Sequence, residues 1–148
     1  MRHDKKVFSL LITTILSFMP VLSHAGGESG LVGKMSKLQY FTHKTGLALQ
    51  NENSSLASFY VHEIEETIEE LETFGRYKSY DIGKLVEDVL VPEFKELEKQ
   101  VKHGKPAAQW KAYNAVIKSC NSCHQTTAHE FIRIEFNDEN PYLQSFGR

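Results

Sequence analysis

From Leu31 to His124 the apolar residues of this chain recur every three or four positions, in four successive stretches. That spacing restricts the chain to helices that each bury one face. The first face carries Leu31, Met35, Leu38, Thr42, Gly46 and Leu49. The polar run "QNENSS" ends it, and Asn53 or Ser54 can cap the next helix by accepting a free backbone N–H. The second face carries Leu56, Tyr60, Ile64, Thr67, Ile68, Leu71 and Phe74, with glutamates away from its centre and Gly75 as a stop. The third begins near Asp81 and runs through Ile82, Leu85, Val86, Val89, Leu90, Phe94, Leu97 and Val101. Pro92 lies inside it, so a kink or a division into two shorter helices is expected there. Gly104 ends that segment, and Pro106 suits the first turn of a fourth helix. On this last helix Trp110, Tyr113, Ile117, Cys120 and His124 form one stripe.

No period-two run occurs before "FIRIEF" (131–136), which cannot make a sheet by itself and is expected to be an extended exit from the fourth helix. "NDENPYLQSFGR" then finishes the chain as an irregular tail. The expected fold is all-α: an antiparallel four-helix bundle, up and down, with an irregular C-terminal tail.

The start of the chain has another pattern. Arg2, Lys5 and Lys6 precede an apolar run from Val7 to about Leu22, which closes on Ser23-His24-Ala25. This is the layout of a secretory signal peptide over residues 1–25, with the working domain at 26–148. Thr13, Thr14, Ser17 and Pro20 interrupt the run, and it falls short of the roughly 20 apolar residues that span a bilayer. No integral membrane segment is expected after cleavage. Without Arg2, Asp4, Lys5 and Lys6 the domain has 14 Lys+Arg against 18 Asp+Glu, a formal charge of −4. A mildly acidic domain does not suit nucleic acid, which calls for a basic footprint. It suits a soluble protein that docks on basic partners.

Both cysteines of the chain lie in "CNSCH", Cys120 to His124. A thioredoxin-like pair would follow a strand in a βαβ unit, and no such unit is legible. A structural disulfide would leave His124 without a role. A zinc site would need four ligands, and there is no second cysteine pair. Cys-x-x-Cys-His is also the attachment motif of a c-type haem. Two thiols form thioethers to the porphyrin, and the adjacent histidine faces the iron. On a helix Cys120 and His124 lie one turn apart on one face with Cys123 beside them, so three bonds can converge on one flat group. One motif implies one covalent haem c, with His124 as proximal ligand. Elsewhere, "HEIEE" (62–66) lacks the second histidine of a zinc-protease helix. His103 and His129 are read as surface or haem-edge groups.

A signal peptide, four helices and a single "CNSCH" near the C-terminus resemble the class II c-type cytochromes, the cytochrome c-prime group and its low-spin relatives. The segment "LVPEFKELEKQVKHGKPAAQWKAYNAVIKSCNSCHQTTAHEFIRI" resembles small bacterial mono-haem cytochromes of that helical layout. "QTTAHEFIR" departs from the group in delaying the aromatic and basic residues, Phe131 and Arg133, after the haem histidine. The resemblance implies Cys120 and Cys123 as thioether anchors, and a distal face built largely by the first helix. Met35 lies near the centre of that helix's stripe and is the first candidate for the sixth iron position. His43, about 80° round the helix at the stripe's edge, is the second. A filled sixth position favours electron transfer and an open one favours binding a small gas. The implied protein is a periplasmic electron carrier and not an enzyme, with redox partner proteins and no nucleic acid among its partners. Its oligomeric state is left open, a homodimer included. The alternative is a five-coordinate haem protein for small gaseous ligands.

Overall fold

The computed structural model of the chain describes residues 30–148. The expected signal peptide lies outside the described residues. The described chain is mostly helical. Helix α1 (Leu31–Gln50) packs on α2 (Ser54–Glu72), α2 on α4 (Val91–His103), and α4 on α5 (Pro106–Thr126). Among the described residues no helix is long and apolar enough to cross a membrane.

The α1–α2 junction shows how polar residues turn the chain without glycine. Glu52 takes a left-handed φ of 50°. Asn53 N–H then reaches back to the Ala48 carbonyl at 2.9 Å, and Glu52 N–H to that of Leu49 at 3.0 Å. These two bonds make a Schellman stop. Asn53 next starts α2 by accepting the Leu56 N–H at 3.1 Å.

Gly75, at φ 78°, ends the following turn. A short antiparallel ribbon then pairs β1 (Arg76–Tyr77) with β2 (Tyr80–Asp81). Its strands are two residues long, too short to carry a period in the sequence. Asp81 caps α3 (Ile82–Leu85) by accepting the Lys84 N–H at 3.1 Å. Gly83 is required by a close approach: a Cβ there would stand 2.2 Å from the Glu72 carbonyl oxygen.

Between α3 and α4 the helix does not break but widens into one π turn, Val86–Leu90, closed by Val91 N–H to the Val86 carbonyl. Pro92 enters immediately after it, in the first turn of α4. An ordinary helix would ask Pro92 for an N–H and press its ring against the preceding turn. The widened turn absorbs that conflict, so the expected discontinuity takes this form.

The core is made of Leu47, Ile64, Leu71, Leu97, Tyr113 and Val116, all fully buried. The C-terminal segment is irregular, as its composition suggests, but it is not loose. Phe136 packs edge-on against Trp110 and Tyr113. Its ring passes so close over Gly46 that a Cβ there would lie 2.6 Å from it. Phe146 is buried, and Asn53 donates to the carbonyls of Phe146 and Gly147 at 3.2 and 3.0 Å. Lys44, only 8% exposed, places its ammonium 4.6, 5.3 and 4.7 Å from the ring centres of Tyr40, Tyr60 and Tyr142. It donates to Gln144 at 2.9 Å. The tail is thus strapped over the C-terminal half of α1.

Candidate cofactor site

The stripe of α5 that carries Cys120, Cys123 and His124 opens on a cavity of about 260 Å³. Helix α1 contributes Leu31, Met35 and Leu38 to its wall. The ribbon and the widened helix contribute Tyr77, Ile82, Leu85 and Leu90. Exposed Val32 and Ile132 stand at its rim. The lining is apolar except at a few points, which is the character of a site for a large apolar group held by a few polar contacts.

Cys120 and Cys123 are free thiols, both partly buried. Burial, with a lesser contribution from Cys123, pushes the Cys120 thiol up to about 12 from an ordinary value of 9.0. Burial raises that of Cys123 as well. A catalytic dithiol is activated by a lowered thiol pKa, and burial here acts in the opposite direction.

His124 is oriented by the chain beyond it. Its Nδ1 lies 2.7 Å from the Ile132 carbonyl oxygen. A carbonyl can only accept, so Nδ1 carries the proton of the neutral ring and Nε2 keeps its lone pair. That is the tautomer of a histidine metal ligand steadied by a backbone carbonyl. The carbonyl is itself held in place. Ala128, at φ 57°, closes α5 with another Schellman stop: His129 N–H to the His124 carbonyl at 2.7 Å, and Ala128 N–H to that of Gln125 at 3.2 Å. The chain then returns alongside α5. There Asn121 clamps it, accepting the Ile134 N–H and donating to the Ile134 carbonyl, both at 2.8 Å. Asn121 occupies the first spacer position of "CNSCH". The sequence pattern treats that position as free, so its role was not legible from the motif.

Met35 lies on the cavity wall, partly buried against the core. His43 does not line this cavity. Its Nε2 faces the Asn137 carbonyl at 3.0 Å and must donate, and its Nδ1 then accepts from the Tyr142 hydroxyl at 2.9 Å. Both nitrogens are engaged with the tail. His129 reaches the cavity wall, and its Nδ1 lies 3.2 Å from the Thr127 hydroxyl. His62 is exposed on α2, between Glu65 and Glu66. Among the described residues no group of three or more His, Cys, Asp and Glu side chains is arranged to hold a metal ion by itself.

No protein-family model matches the chain, and no curated protein or solved structure matches it significantly.

Proposed function

We propose that this chain is an exported mono-haem c-type cytochrome of the class II kind, an antiparallel four-helix bundle that carries single electrons in the periplasm. One observation carries the proposal: Cys120, Cys123 and His124 share the wall of a single apolar cavity, and His124 Nδ1 is committed to the Ile132 carbonyl. The donor set fits a covalently held haem. Two unpaired thiols are available for thioether bonds, and the imidazole has the tautomer that leaves Nε2 for iron. Most of the wall is apolar.

Bound there, a haem supplies a one-electron couple whose potential the ligands and the wall set. The chain does the rest. Cys120 and Cys123 would anchor the group, and His124 would hold the iron with its basicity raised by the carbonyl behind it. Leu31, Leu38 and Leu90 keep the surroundings of low polarity. Met35 presents a thioether on the same wall. With both of its nitrogens engaged by the tail, His43 is the weaker choice for the sixth position. The acidic balance of the domain suits redox partners with basic docking surfaces.

The test is the optical spectrum of the reduced protein with and without carbon monoxide, in wild type and in Met35→Leu, which keeps the side-chain volume. The expected wild type is low-spin and ignores carbon monoxide, and its oxidised form has a weak sulfur-to-iron charge-transfer band. Both properties should be lost in the variant. A wild type that already binds carbon monoxide rapidly would put the gas-binding function in place of electron transfer.

A further inference from the structure

Tyr142 of the tail places its hydroxyl 2.9 Å from His43 Nδ1 on α1. On the other side of that ring Nε2 donates to the Asn137 carbonyl at 3.0 Å. A carbonyl only accepts, so Nδ1 of the neutral ring keeps its lone pair and Tyr142 donates into it. The phenol is therefore set on a base at a distance suited to direct proton transfer. Tyr60 donates instead to the Gln144 amide oxygen, which is not a base, and the Tyr113 hydroxyl has no partner.

A phenol that loses an electron becomes a strong acid, so a tyrosine gives one up most readily where a base receives the proton. Burial, then Tyr40, holds the Tyr142 phenol above its ordinary range, so its proton is still in place when the electron leaves. The Lys44 ammonium, 4.7 Å from the Tyr142 ring centre, opposes removal of an electron. It also lies 4.6 and 5.3 Å from the ring centres of Tyr40 and Tyr60. It therefore penalises all three rings, and the base sets Tyr142 apart. The Tyr142 ring is half-buried, and Tyr40, 41% exposed, stands edge-on to it at 5.2 Å. On the inner side Thr42, the residue before His43, lies on the wall of the cofactor cavity.

We propose that Tyr142 and His43 form a redox-active pair: an outer-sphere one-electron oxidant takes an electron from Tyr142 while the phenolic proton crosses to His43 Nδ1. The Tyr142 O–H bond breaks and an N–H bond forms on His43. The products are a neutral tyrosyl radical, an imidazolium that still donates to Asn137, and the oxidant reduced by one electron. An electron returned by a reductant brings the proton back. The pair needs only the polypeptide, so it stands or falls apart from the haem.

The test uses the purified full chain, with any bound haem kept ferric and flash-generated tris-bipyridine ruthenium(III) as the oxidant. Transient absorption and electron paramagnetic resonance should show a tyrosyl radical in the wild type, reduced severalfold in Tyr142→Phe. In His43→Gln, which keeps an acceptor but not a base, the radical should form severalfold more slowly. The wild-type radical should also couple to one exchangeable proton, the His43 N–H, a readout that needs no variant. No tyrosyl radical, an equal yield in Tyr142→Phe, or a wild-type radical without that coupling overturns the proposal. An unchanged rate in His43→Gln overturns it as well.

Discussion

Helix α1 has two halves of one apolar stripe and two different environments. From Thr42 to Leu49 every residue but His43 is buried, under α2, α5 and the strapped tail. From Leu31 to Leu38 the same stripe faces the cavity that holds Cys120, Cys123 and His124, and only Leu38 is fully buried. The first half's neighbours are polypeptide, brought by a tail whose aromatic side chains fit around Gly46 and Lys44. The second half's neighbour is a cavity with two thiols and an oriented imidazole on its far wall. A periodic stripe therefore shows where a helix buries itself but not what it buries itself against.

The difference can be broken most strongly from the packed side. Leu47→Ala removes a fully buried side chain from tight packing and should cost about 2–5 kcal/mol in denaturant unfolding. Gly46→Ala puts a methyl group into the Phe136 ring and the Tyr113 hydroxyl. It should cost about 1–3 kcal/mol and open the tail to proteolysis near Phe136. Lys44→Met keeps the stem but removes the cation from three tyrosine rings. The loss should be about 1–2 kcal/mol, again with faster cleavage in the tail. On the cavity side, Met35→Ala in the chain prepared without haem should cost only about 1 kcal/mol or less, because that side chain is partly buried beside a cavity. If Met35→Ala matched Leu47→Ala in that preparation, the contrast between the halves would fail.

A pH measurement sharpens the same contrast. The raised thiol pKa of Cys120 means that the haem-free fold favours the protonated form. Its contribution is fully present below the unfolded value near 9.0 and is lost as pH rises toward about 12. The haem-free chain should therefore lose stability across that window, and Cys120→Ala should flatten the loss. One substitution is expected to give a gain. Ala128→Gly relieves a left-handed backbone and should add about 1 kcal/mol, read as a higher denaturation midpoint.

Much of the helical layout was legible because it depends on spacing and end signals. The Asn53 cap, the stop at Gly104 and Pro106 in the opening turn of α5 all follow from local chemistry. What was not legible depends on partners distant in the chain. The ribbon at Arg76–Asp81 is too short for a period. The stops at Glu52 and Ala128 use left-handed residues other than glycine, so the usual signal is missing. The π turn needs knowledge of how Pro92 is resolved. At the site, the motif pointed to Cys120, Cys123 and His124, but Asn121 and the Ile132 carbonyl act through a chain reversal that no spacing announces. His43 looked like a neighbour of Met35 on the helix, yet the tail claims both of its nitrogens.

The central claim is that the cavity beside Cys120, Cys123 and His124 takes one covalently bound haem. The most direct measurement is the intact mass of the purified protein before and after acid–acetone extraction, beside the Cys120→Ser/Cys123→Ser variant. The predicted result is a wild-type chain heavier than the polypeptide by one haem, with the colour staying on the protein after extraction and absent from the variant. A wild-type mass equal to that of the polypeptide, or lower by the two hydrogens of a Cys120–Cys123 disulfide, would contradict it.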